Sequence, residues 1–272
     1  LPSVRATWLT DIHLNFLRPL ALKAFYDQVA AEQPQVLLVT GDIGESDTVV
    51  RFVTELGQLA PIYFVLGNHD YYRSSIAAVR GAMERLAATP AGDNATWLPG
   101  HEPLRLTPHT MMLGVDGWGD ARCGDLESTV QLSDWKLIDD FKRAKDDRAL
   151  RIEICNRLGS NEARTLRDKL ELAGDAAQLL VLTHVPPFEE ACVYGGEPST
   201  PPWLPWFTCI ATGDVLKAHA EAHPDQQILV LCGHSHGAGS FRPLPNLEVR
   251  TGGWAAGQQE YGNPLVQQTI EV

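Results

Sequence analysis

No apolar run in this 272-residue sequence exceeds strand length, whereas a helix that crosses a bilayer takes about 20 such residues. No membrane-spanning segment is expected. Positive charge is also scarce: 22 Lys and Arg stand against 34 Asp and Glu, for a formal net charge of −12. A large nonspecific nucleic-acid surface needs a basic excess to neutralise phosphates, so this balance speaks against one and suits solubility. C-x-x-C spacing is missing as well. Cys123, Cys155, Cys192, Cys209 and Cys232 are scattered, which predicts free thiols, a reducing and hence cytoplasmic setting, and no structural zinc, although Cys192 and Cys209 flank one loop. The numbered chain starts at Leu1 rather than Met, and nothing in it reads as a signal peptide. With 44% hydrophobic residues it has enough apolar material for a sizeable core, and one domain over 1–272 is expected.

What the sequence does have is a repeated design: a short apolar run that closes on potential metal ligands. Ala6-Thr7-Trp8-Leu9 leads to Asp11 and His13, Val36-Leu37-Leu38-Val39 to Gly41-Asp42, and Ile62-Tyr63-Phe64-Val65-Leu66 to Gly67-Asn68-His69-Asp70. Later, Leu179-Leu180-Val181-Leu182-Thr183 ends on His184, and Ile228-Leu229-Val230-Leu231-Cys232 on Gly233-His234-Ser235-His236. Any one of these alone is an ordinary strand-end turn. Together they mean more. The carboxyl ends of neighbouring strands in an open α/β sheet converge on one crevice, and Asp11, Asp42, Asn68, His13, His184, His234 and His236 would concentrate too much buried polarity there without a cation.

The ordered motifs D-x-H (Asp11, His13), G-D (Gly41, Asp42), G-N-H-D (Gly67 to Asp70), a lone His184 and G-H-x-H (Gly233 to His236) resemble those of the calcineurin-like metallophosphoesterase family. The resemblance implies an α/β fold in which two mixed sheets form a four-layer α-β-β-α sandwich, with a binuclear metal site at the strand carboxyl ends. It implies a first metal held by Asp11, His13, Asp42 and His236, and a second by Asp42, Asn68, His184 and His234, with Asp42 as the bridge. Mixed nitrogen and oxygen ligands suit Mn, Fe or Zn, as divalent or mixed-valence ions. Two such ions about 3.5–4 Å apart can hold a hydroxide for in-line attack on phosphorus and offset charge on the phosphoryl oxygens. By the same resemblance His69 protonates the leaving oxygen or stabilises the phosphoryl charge, with Asp70 orienting it. A carboxylate bonded to that ring would raise its pKa and favour the acid role.

Along the chain, the first half alternates strands with single helices, expected over about 19–32, 47–59 and 74–88, which implies parallel pairing. Trp97-Leu98, Leu104 to Leu106 and Met111 to Val115, broken by Pro99, Pro103 and Pro108, read as edge or antiparallel strands. Segments at about 133–149 and 161–173, dense in charge of both signs, read as a solvated helical surface insertion spanning about 133–175. A helix is expected from about Asp214 to Ala222, and two strands in the tail from Leu247 to Val272. The stretch 185–210 has no regular pattern but carries Tyr194, Trp203, Trp206 and Phe207, and is taken as a substrate wall. Trp203 and Trp206 offer stacking faces, and Arg122 offers a fork for phosphate. His219 and His223 stand four apart on a helix, but no Glu follows the first as a zincin requires. His101 and His109 read as surface residues.

The motifs depart from two branches of the family. Gly41-Asp42-Ile43-Gly44-Glu45-Ser46 differs from the G-D-x-x-D-R-G typical of protein Ser/Thr phosphatases, and His69 stands where the lipid A precursor hydrolases carry Arg. A small-molecule phosphodiester or phosphomonoester is therefore the expected substrate. A nuclease on polynucleotide and a non-catalytic scaffold are the alternatives.

Overall fold

Successive side chains on a strand point to opposite faces, so the fully apolar runs of this chain can serve two cores at once. The computed structural model, which describes residues 3–254 and 261–272, shows that arrangement. Strand β1 (Arg5–Leu9), helix α1 (Pro19–Ala31), β2 (Val36–Thr40), α2 (Val49–Gly57), β3 (Ile62–Val65), α3 (Ile76–Ala87) and β4 (Ala95–Trp97) make the first half. The short β5 (Leu104–Arg105) and β6 (Thr110–Gly114) precede α4 (Asp134–Leu137), the long α5 (Arg148–Ala173) and β7 (Gln178–Leu182). A small hairpin, β8 (Val193–Tyr194) and β9 (Glu197–Pro198), leads to α6 (Leu204–Phe207), α7 (Ile210–Ala222), β10 (Gln227–Cys232), β11 (Gly239–Leu244), β12 (Leu247–Thr251) and β13 (Val266–Glu271).

Two mixed sheets face each other. The first has the order β13-β1-β2-β3-β4 and the second β11-β12-β10-β7-β6-β5. Between them Ala6, Trp8, Leu38 and Val65 meet Met112, Leu180, Leu182 and Leu231. The alternate residues turn outward: Leu9, Leu37 and Val39 pack with Phe25, Phe52, Leu56 and Met83 of α1, α2 and α3, while Leu179, Val181 and Val230 pack with Leu166 and Leu170 of α5 and Leu216 of α7. The fold is a four-layer α-β-β-α sandwich. Truncating one of its fully buried rings, such as Phe52, would cost about 3–5 kcal/mol.

Three expectations need correction. β4 and β5 are edge strands as expected, but β6 lies inside its sheet, between β5, to which it is antiparallel, and β7, to which it is parallel. Segment 133–175 is not a solvated insertion. Its α5 is one continuous helix whose Ile154 and Cys155 join the core over the first sheet, while Ala163, Leu166 and Leu170 join that over the second; its abundant charges hide a sparse apolar stripe. The helix expected from Asp214 begins at Ile210. Both tail strands are present, and the part of the tail at 255–260 lies outside the described residues.

Candidate metal centre

β1, β2 and β3 are adjacent and parallel, as are β7 and β10 in the facing sheet. Their carboxyl ends therefore open on the same side, and Asp11, His13, Asp42, Asn68, His184, His234 and His236 come together there. The turns that present them are conformationally expensive. Asp11, His13, Asp42, His234 and His236 all have left-handed backbones, with φ between 42° and 67°, a region costly for residues other than glycine and held only where the surroundings impose it. Glycines next to them serve space instead. A Cβ on Gly67 would fall 2.1 Å from an Asp42 oxygen, and one on Gly233 would fall 2.1 Å from Asp11 Oδ2.

Single ligand atoms of Asp11, His13, Asp42 and His236 all lie within 4.8 Å of one another. Asp42 faces both halves of the constellation: its Oδ2 is 3.6 Å from His13 Nε2 and its Oδ1 is 3.5 Å from His184 Nε2. Asn68 Oδ1 lies 3.2 Å from the same His184 nitrogen. Tautomers are set from outside the cluster. His184 Nδ1 donates to the Thr40 carbonyl at 2.8 Å, leaving Nε2 as its acceptor, and His234 Nε2 donates to the Trp206 carbonyl at 3.2 Å, leaving Nδ1. Asp11 accepts from Thr10 Oγ1 and the His234 backbone N–H, which ties the two sheets' turns together.

These residues fit divalent cations. Both ring nitrogens of His13 are buried without a hydrogen-bond partner among the described residues, and such atoms are rare unless an unseen group satisfies them. Burial, followed by the charges of Asp11 and Asp70, pushes the Asp42 carboxyl well above its usual range. Burial likewise drives His13 and His234 well below the usual imidazole value. Carboxylates crowded this way, beside imidazoles kept neutral, favour a bound cation.

Asp70 does not orient His69. Its Oδ1 accepts from the backbone N–H groups of Ile43 and Gly44, and its Oδ2 from that of Gly67, so its carboxylate ties the Asp42 turn to the Asn68 turn. No hydrogen bond joins it to the ring, and the raised pKa expected for His69 is absent. Burial, then the neighbouring His236 and His184, lowers His69 to about 3. Its Nε2 instead faces Asp42 Oδ2 at 3.9 Å and the Tyr261 hydroxyl at 3.4 Å.

Two of the expected substrate contacts are placed elsewhere. Arg122 pairs with buried Asp120 at 2.8 Å and donates to Ser160 and the Asn156 carbonyl, which locks the turn against α5. Trp206 is buried in the core, edge-on to Trp135. Only Trp203 stays half exposed near the centre, beside His236. His219 and His223 stack on each other and bond locally, to Gln226 and to the helix end, so they cap α7 without forming a site. His101 and His109 are exposed.

Sequence reasoning missed three contributors. Asp134 of α4 accepts from Asn68 Nδ2 at 2.9 Å and from the Tyr72 hydroxyl at 2.8 Å, which turns the Asn68 oxygen toward His184. Asp116, fully buried, accepts from the Leu66 N–H, Tyr71, Trp97 and Arg80 and anchors the strand end before Gly67. Trp254 stacks on His236 with ring centroids 3.7 Å apart. No local pattern marks any of them.

A two-sheet sandwich with a carboxylate–imidazole cluster at its strand ends defines a metal-dependent hydrolase class. Residues 4–238 match the calcineurin-like phosphoesterase family, and the chain belongs to it. A Bos taurus protein described as a transmembrane protein with metallophosphoesterase domain is 35% identical over 81 residues, covering 28% of this chain and 18% of that protein. The chain thus matches under a fifth of this relative's length. Among the described residues here, no helix is long and apolar enough to cross a membrane. Phosphopantetheinyl hydrolase from Mycobacterium tuberculosis superimposes with a TM-score of 0.66 at 14% identity, over 92% of this chain and 90% of that one. A dimetal phosphatase from Danio rerio does so with 0.53 at 13%, over 93% and 88%. At such identities the likeness is one of fold.

Proposed function

We propose that this protein hydrolyses a small-molecule phosphomonoester or phosphodiester at a binuclear metal centre, with Mn, Fe or Zn as the metals. The observation that carries the reading is Asp42, whose two carboxylate oxygens face His13 on one side and His184 on the other, as a bridge must. One cation would be held by Asp11, His13, Asp42 and His236, the other by Asp42, Asn68, His184 and His234. When bound, such a pair supplies positive charge to the phosphoryl oxygens and acidifies a water for attack on phosphorus.

The chain's own residues do the rest. His69, as a neutral imidazole, offers an N–H to a phosphoryl or leaving oxygen, and the Tyr261 hydroxyl beside its Nε2 orients the ring. Asp134 and Tyr72 hold the Asn68 amide so that its oxygen faces inward. The Thr40 carbonyl keeps the His184 proton on Nδ1. The site opens on a cleft of about 190 Å³, room enough for a phosphoryl group.

The test is hydrolysis of p-nitrophenyl phosphate and bis(p-nitrophenyl) phosphate by chelated protein reconstituted in turn with Mn, Fe, Zn and Mg. Turnover with at least one borderline metal is expected. The relative rates then assign monoester or diester. No turnover by protein shown to contain two metals per chain would defeat the reading and favour a scaffold.

A further inference from the structure

The cleft at the metal centre adjoins a second, larger one. Phe207 and His236 line both. Beyond them a groove of about 460 Å³ runs along the 193–207 segment, walled by Tyr194, Pro198, Thr200 and Trp203. It is firmly built. The β8–β9 hairpin that carries Tyr194 lies so close to the turn after His236 that a Cβ on Gly237 would fall 2.2 Å from the Val193 carbonyl. Trp203 packs edge-on against Phe207 at 5.5 Å, and Phe207 stacks on His234 at 4.3 Å. The groove is thus coupled to the candidate ligands through stacked rings.

Two of its properties select an occupant. Tyr194 is 59% exposed and Trp203 is 45% exposed, so two large aromatic faces stand open beside the centre, a position suited to stacking. Cations are missing: among the described residues, no Lys or Arg lines either the cleft or the groove, and Glu197 places a carboxylate in the latter. Residues 1–2 and 255–260 contain no Lys or Arg either. A second phosphate in this groove would find no partner, and its desolvation would go uncompensated.

We propose that the groove seats an uncharged aromatic or apolar ester group, so that the substrate carries a single phosphoryl group joined to such a moiety. This rests on the phosphoesterase reading above. It disfavours pyrophosphate-containing substrates and polynucleotides.

Phosphonates test it without turnover, because at a pH where both are dianions phenylphosphonate and methylphosphonate present the same charge to the centre and differ in the group left for the groove. Calorimetric titration of Mn-loaded protein should show phenylphosphonate binding about 10-fold more tightly than methylphosphonate. In Trp203→Ala, and separately in Tyr194→Ala, that ratio should fall towards one. Two variants guard against one that fails to fold. An unchanged ratio in both folded variants, or no phenyl preference in the wild type, would overturn the proposal. Hydrolysis of p-nitrophenyl phosphate measured in parallel separates the two readings. Turnover with an unchanged ratio rejects the groove alone, whereas no turnover together with no phosphonate binding rejects the phosphoesterase reading as well.

Discussion

At the residue scale, Asp42 and His69 lie 3.9 Å apart yet should fail differently when altered. Asp42→Asn keeps the size and the carbonyl that accepts from the His69 N–H, but removes the negative charge two cations would share. Metal content and turnover should fall together, read by elemental analysis and phosphatase assay. His69→Asn should retain the metals and lose about 10²- to 10⁴-fold in kcat. An Asp42→Asn protein that kept both metals and full activity would refute the bridge. Asp70 behaves as a structural residue. All three of its bonds come from backbone donors of two turns, so Asp70→Asn points an amide N–H₂ at one of them. Urea unfolding should show a loss of about 1–3 kcal/mol.

Turns, more than strands, build the site at the element scale. Gly41 adopts φ +92°, and a Cβ there would meet the Gly67 nitrogen and His184 Nδ1, each at 2.6 Å. Neither atom can yield, since one is backbone and the other is bonded to the Thr40 carbonyl. Gly41→Ala should therefore cost metal affinity as well as stability, visible as a lower metal stoichiometry after dialysis. α4 shows how far a short helix can reach. Its four residues bring Asp134 to Asn68 across 66 positions of sequence. α5, dense in charge, still spans two cores because a few apolar positions at helical spacing suffice to seat it.

For the whole molecule, the concentration of buried imidazoles sets an acid limit. Burial lowers His13, His184 and His234 below the usual imidazole value. Above about pH 6.5 they are neutral in both folded and unfolded chains, and the stability is fully present. Below it the unfolded chain takes up protons that the folded chain refuses, so each such group destabilises the fold as pH falls. Buried Asp42 and Asp70 act the other way, since burial raises both and the folded chain binds their protons as pH falls. Metal-free Asp70→Asn, which lacks one of these opposing groups, should therefore lose melting temperature more steeply from pH 7 to pH 5 than the parent, and bound metal should raise the parent's melting temperature at pH 7. Equal slopes in the two proteins would mean that Asp70 takes up no proton over this range. The cysteines are a second global property. All five are free, and burial pushes Cys123, Cys209 and Cys232 up to about 12, so native protein at pH 8 should react slowly with a thiol reagent and show five fast thiols once unfolded.

How much of this was legible in the sequence follows from the range of the forces involved. Strand ends, their ligand-bearing turns and the first three helices are local matters of hydrophobic period and turn chemistry, and Asp11, His13, Asp42, Asn68, His184, His234 and His236 could be named from them, although nothing in one strand shows that they meet. Other features depend on partners distant in the chain. Whether β6 is an edge or an interior strand is decided by β7, about 68 residues later. The Asp134–Tyr72–Asn68 network, the capture of Arg122 by Asp120, the burial of Trp206 and the backbone role of Asp70 all arise from the side-by-side packing of elements. The sequence determined which residues a metal centre would have; only the tertiary structure decided which of their neighbours hold it in place, because a hydrogen bond or a packed ring needs a partner at about 3–4 Å and the chain sets no such distance until it folds.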